Sequence, residues 1–89
     1  MESKYFKVGG KVQGVYFRKT AKIEANKLNI KGWIRNDESG KFVEGEFYGA
    51  PAPCALFVKF LHTGSRNSKV DTVTLTPSAN SYDIFEIRK

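Results

Sequence analysis

The stretch Val8-Gly9-Gly10-Lys11-Val12-Gln13-Gly14-Val15-Tyr16-Phe17-Arg18 decides the reading of this chain. It begins as a strand over residues 4–12, with Phe6, Val8, Gly10 and Val12 alternating onto one face. Gly9, Gly10 and Gly14 then break the alternation. Residues 18–29 follow as a helix, in which Ala21, Ala25 and Leu28 recur at helical spacing and mark the buried stripe. A glycine-containing loop over 13–17 thus delivers a helix N-terminus that carries Arg18, Lys19 and Lys22. Cations are out of place there, because the positive end of the helix dipole favours Asp or Glu. The placement makes sense if loop amides, the helix end and the Arg18 guanidinium converge on a phosphate-sized anion.

Working outward, the rest of the chain supplies four more strands and one more helix. Asn29 stands where a left-handed residue closes the first helix. Residues 30–36 and 41–49 read as two strands joined by the polar cluster Asp37-Glu38-Ser39-Gly40, which makes an antiparallel hairpin. Pro51 or Pro53 opens a second helix, with Leu56, Phe57, Phe60 and Leu61 as its apolar stripe, ending before Gly64. Val70, Val73 and Leu75 mark a fourth strand, whose imperfect alternation points to a bulge. Residues 82–88 form a last strand with Phe85 and Ile87 inward. The order is β-α-β-β-α-β, with the final β-segment in two pieces. The expected fold is α+β and ferredoxin-like: one antiparallel sheet with both helices on one face.

That topology makes the first two strands parallel, so their C-terminal ends lie at one sheet edge. The loop entering the first helix and Asn36, which ends the second strand, therefore face one pocket. Taken alone, Asn36 has the simpler reading of a turn initiator. Its placement beside Arg18 is what makes it a candidate.

Composition limits the alternatives. With 89 residues, 40% hydrophobic and 13% aromatic, the chain has room for one folded domain, expected to span 1–89. A net charge of +6 favours anionic partners. One cysteine, Cys54, excludes an intrachain disulfide and suits a reducing compartment. With no apolar membrane span and no signal-peptide core, a cytoplasmic location with no membrane partner is the expectation. The lone His62 reads as a surface residue complementing a helix C-terminus, not as a base. Cys54 has no histidine near it in sequence and reads as a structural thiol. No His/Cys/Asp/Glu cluster has metal-ligand spacing.

At the level of motifs, Val8 to Arg18 resembles the acylphosphatase signature, an aliphatic residue followed by x-G-x-V-Q-G-V-x-F-R, with every specified position met. Gly32-Trp33-Ile34-Arg35-Asn36 resembles that family's second motif, and the similarity runs to Phe85-Glu86-Ile87-Arg88. The resemblance implies hydrolysis of acyl phosphates to a carboxylate and inorganic phosphate, without metal or cofactor. By position it makes Arg18 and the loop Gln13, Gly14, Val15, Tyr16 and Phe17 the phosphate-binding set. It makes Asn36 the group that orients the attacking water. A small acyl phosphate is then the partner, phosphate a competitive inhibitor, and a monomer the expected state.

The reaction suits a chain poor in acids and bases. The departing carboxylate is the conjugate base of an acid of pKa roughly 4–5 and needs no general acid. Positioning and charge neutralisation remain to be supplied. Three features depart from the family pattern: Ile34 replaces a smaller apolar residue, Asn29 replaces a glycine, and one extra residue between Asn36 and Gly49 is expected to enlarge the hairpin turn or add a bulge.

Two alternatives stand beside the enzyme. A regulatory domain that binds phosphate without turnover would need the same Arg18, though an intact Asn36 leans towards turnover. An RNA-binding module of the same topology could use Tyr5, Trp33, Phe42 and Tyr48 on the open face. Its third-strand motif, however, requires a stacking aromatic where Gly45 stands, and nucleic acid is not expected as a partner.

Overall fold

A computed structural model of the chain describes residues 1–14 and 16–89. Over these residues the elements run β1 (Glu2–Lys11), α1 (Phe17–Lys27), β2 (Lys31–Asn36), β3 (Phe42–Gly49), α2 (Pro51–Thr63), β4 (Lys69–Pro77) and β5 (Phe85–Ile87). The strands form one sheet in the order β4-β1-β3-β2-β5. The first four are antiparallel to their neighbours, as the split βαβ pattern requires. The expectation of a wholly antiparallel sheet needs one correction: β5 pairs parallel to β2, so the sheet is mixed. The chain reaches that edge after crossing from β4 on the far side, and it enters alongside β2 in the same direction.

Both helices lay their apolar stripes on one face. Ala21 and Ala25 are fully buried under α1 and admit close approach to the sheet. On α2 the buried positions are Cys54, Phe57 and Leu61. Leu56, expected on that stripe, is 54% exposed; the helix is rotated so that Cys54 takes the inward place. Phe57 sits at the centre of the core, its ring 5.6 Å from Phe47, 5.8 Å from Phe85 and 6.1 Å from Phe6. Such edge-on aromatic contacts add to area burial, and truncating a ring so placed costs roughly 3–5 kcal/mol.

The bulge expected near the fourth strand is present. Gly9 pairs with Thr72 and Gly10 with Val70, leaving Asp71 as the extra residue of β4. Gly10 has φ 123°, and a Cβ there would lie 2.2 Å from the Lys69 carbonyl. Only glycine lets β1 pass this point and deliver Val12 into the core. At the other end of α1, Asn29 takes the left-handed conformation expected of it, with φ 57°.

Candidate active site

Register on β3 fixes how the two halves of the site meet. Val8 of β1 and Asn36 of β2 both pair with Val43, from opposite sides. The loop after β1 and the end of β2 therefore emerge from the same edge of the sheet. One carbonyl ties them together. Phe42 O accepts from the Gln13 side-chain amide at 2.9 Å and from the Asp37 backbone N–H at 3.0 Å. Gln13, expected only as a member of the loop, thus anchors that loop to the hairpin carrying Asn36. The hairpin's length is absorbed beyond this point. The Asp37 and Phe42 backbones pair, Gly40 donates to the Asp37 carbonyl at 3.2 Å, and Asn36 stays in regular register. Asp37 is fastened by the Ser39 hydroxyl at 2.7 Å and by Lys7 at 3.5 Å. The Ser39 hydrogen bond is the main reason its carboxyl titrates below the usual range.

The loop opens into α1 without a conventional cap. Tyr16 is the N-cap, in the left-handed region at φ 59°, and offers no side-chain cap. The first turn holds Phe17, Arg18 and Lys19 and no acid. The opening N–H groups of a helix have no intrahelical acceptor and collect the positive end of its dipole. A cavity of about 380 Å³ lies against this end, lined by Val12, Gly14, Tyr16, Phe17, Arg18, Lys19 and Ile87. It gathers Gly14, Tyr16, Phe17 and Arg18 of the expected set. Gln13 is turned to Phe42, and Val15 lies outside the described residues. Asn36 is outside the lining too, but its Oδ1 is buried and has no hydrogen-bond partner among the described residues. Ile87, expected as a core residue, is 40% exposed and lines the cavity. Its place follows from the parallel pairing, which sets Ile87 beside Ile34, two residues before Asn36.

The helix-free face is organised differently. Glu44 accepts from the Tyr5 hydroxyl at 2.6 Å and from Arg35 at 2.7 Å. The Tyr5 hydrogen bond is the main reason its carboxyl is held below the usual range. Burial, with that same carboxylate alongside, pushes the Tyr5 hydroxyl up to about 12. Glu46 accepts from Ser78 at 2.6 Å, Trp33 at 2.9 Å and Asn80 at 3.0 Å, and from Tyr82. Burial alone would raise this carboxyl; the four donors overcome that and hold it at about 2. Trp33 is 8% exposed, with the guanidinium groups of Arg35 and Arg88 over its ring. A face so occupied is a poor platform for stacked bases.

Elsewhere, His62 is exposed in the last turn of α2. Cys54 is buried, and that burial raises its thiol. Among the described residues no three His, Cys, Asp or Glu side chains form a metal-ligand group, and no helix is long and apolar enough to cross a membrane.

Fold and edge together define a ferredoxin-like α+β domain whose first loop leads into an uncapped, basic helix N-terminus beside a cavity. Comparison with known proteins carries this further. The acylphosphatase family model matches residues 4–87. An acylphosphatase of Anaeromyxobacter dehalogenans is 40% identical over 83 residues, covering 91% of this chain and 88% of that protein. One from Haloarcula marismortui is 38% identical, covering 91% and 89%. The crystal structure of acylphosphatase from Bacillus subtilis superposes with a TM-score of 0.93 at 33% identity over the whole of both chains. The chain belongs to the acylphosphatase family, whose members are acyl phosphate hydrolases.

Proposed function

We propose that this chain hydrolyses the carboxyl–phosphate bond of acyl phosphates by direct attack of water on phosphorus. The 13–17 loop amides, the α1 N-terminus and the Arg18 guanidinium hold the phosphoryl oxygens. Arg suits that task because its fork meets two oxygens at once, which a lysine ammonium cannot do. Asn36 orients the water. Its amide is too weak a base to take the proton, so its contribution is geometric, and the leaving carboxylate departs without protonation. No metal is needed in this scheme, because the helix end and Arg18 supply the positive charge. Released phosphate has the same fit and acts as a competitive inhibitor.

The observation that carries this reading is the buried Asn36 Oδ1, unpartnered among the described residues, at the edge shared with the loop. A buried acceptor without a donor costs on the order of 1–3 kcal/mol, and a water placed for attack would satisfy it. The test is turnover of benzoyl phosphate in EDTA. Undiminished rates are expected. Loss of activity in chelator, restored by a divalent cation, would contradict the metal-free scheme, and phosphate binding without turnover would favour a regulatory role.

A further inference from the structure

The cavity beside α1 is larger than an anion requires. At about 380 Å³ it falls in the range of roughly 300–1,000 Å³ typical of sites for small organic ligands. Its polar side is the loop and Arg18. Lys19 adds a second cation beside Arg18; Val12, Tyr16, Phe17 and Ile87 make up the apolar part, and two of these stand out. Tyr16 is 76% exposed and Ile87 40% exposed, both among the large hydrophobic side chains left in solvent over the described residues. Isolated exposed apolar groups need no explanation. These two come from distant parts of the chain, the N-cap of α1 and the end of β5, and line the same cavity. Tyr16 carries a further cost. It holds a left-handed backbone, φ 59° and ψ 22°, where Gly or Asn would sit more easily. Strain of this kind collects at ligand sites, where the side chain itself is put to use. The signature quoted above leaves position 16 open, so a choice of residue there can distinguish one family member from another.

We propose that Tyr16 and Ile87 form the acyl-recognition wall of the site, and that the substrate's acyl group is apolar and bulky, aromatic or branched, not acetyl. This rests on the reading of the chain as an acyl phosphate hydrolase. With the phosphoryl group against Arg18 and the loop, the acyl group extends along the cavity to meet the Tyr16 ring and the Ile87 side chain. Burying those surfaces with the substrate removes apolar area from water on both partners. Discrimination from a contact of a few carbons is modest, about 10- to 200-fold.

The experiment compares kcat/KM for benzoyl phosphate and acetyl phosphate in the wild type, Ile87→Ser and Tyr16→Asn, with the phosphate inhibition constant measured in parallel. The wild type is expected to favour benzoyl phosphate at least tenfold. In each variant that ratio should fall about tenfold; in Ile87→Ser, which lies outside the phosphate loop, the phosphate inhibition constant should stay close to wild type, showing that the folded anion site persists. An unchanged ratio, a proportional loss on both substrates, or a wild type that favours acetyl phosphate would overturn the proposal. Failure of the wild type to turn over either substrate would instead remove the hydrolase reading on which it stands.

Discussion

The two polar regions of this small domain are built on opposite rules. On the helix-free face, Glu46 is buried with four donors around it, and Glu44 is held by Tyr5 and Arg35. At the loop edge, Asn36 Oδ1 is buried without a partner among the described residues, α1 starts without an acid or a side-chain cap, and Tyr16 holds a left-handed backbone. The first region satisfies its polar groups internally and so stabilises the fold. The second leaves donors and acceptors unpaired among the described residues, which the proposed reading fills with phosphate and water. Under the proposed function, the contrast separates residues kept for structure from residues kept for chemistry, although both sets are polar and partly buried.

The largest break of this contrast comes from Arg18→Lys. Losing the bidentate fork should cut kcat/KM for benzoyl phosphate by about 10³ and weaken phosphate inhibition, while the thermal midpoint stays close to wild type. Asn36→Ala comes next, with kcat falling about 10² and no loss of stability, since the side-chain carbonyl removed strands no partner among the described residues. Glu46→Gln should do the reverse. An amide cannot accept from the same four donors, so the fold loses on the order of 2 kcal/mol at neutral pH, while turnover stays within about threefold. The pH dependence follows from sign. The folded carboxyl sits at about 2 against 4.5 for the free group. Its stabilisation is therefore complete above about pH 4.5 and fades as pH falls towards 2. The gap in thermal midpoint between wild type and Glu46→Gln should shrink steadily when melts are run from pH 5 down to pH 3.

These regions were unequally legible in the sequence. The loop edge could be read because its signals are local: glycines that end a strand, cations at a helix start, and a topology that returns Asn36 to the same side. The bulge opposite Gly10 showed as broken alternation of Val70, Val73 and Leu75, and the left-handed Asn29 was legible because it is a conformational demand on one residue. The Glu46 cluster was not. Alternation places Glu46 on the open face, but nothing in a periodicity says that residues 78–82 will cross that face and supply three donors. Ile87 was misjudged because alternation assigns it the same side as Phe85. It does not tell whether that side, at the end of a three-residue edge strand, is covered by a helix or opens into a cavity. Leu56 failed similarly: five consecutive apolar residues on α2, Cys54 to Val58, leave the rotation of the helix to be set by tertiary packing. Gln13 was assigned to the right loop, yet its side-chain bond to Phe42 depends on a strand 29 residues away.

The central claim is a division of labour, with the loop and Arg18 binding phosphate and Asn36 acting on water alone. Its most direct test is the inhibition constant of inorganic phosphate on Asn36→Ala. The account predicts a value within about threefold of wild type, beside the hundredfold loss in kcat. A phosphate affinity that falls in step with kcat would contradict it and make Asn36 part of the phosphate cradle.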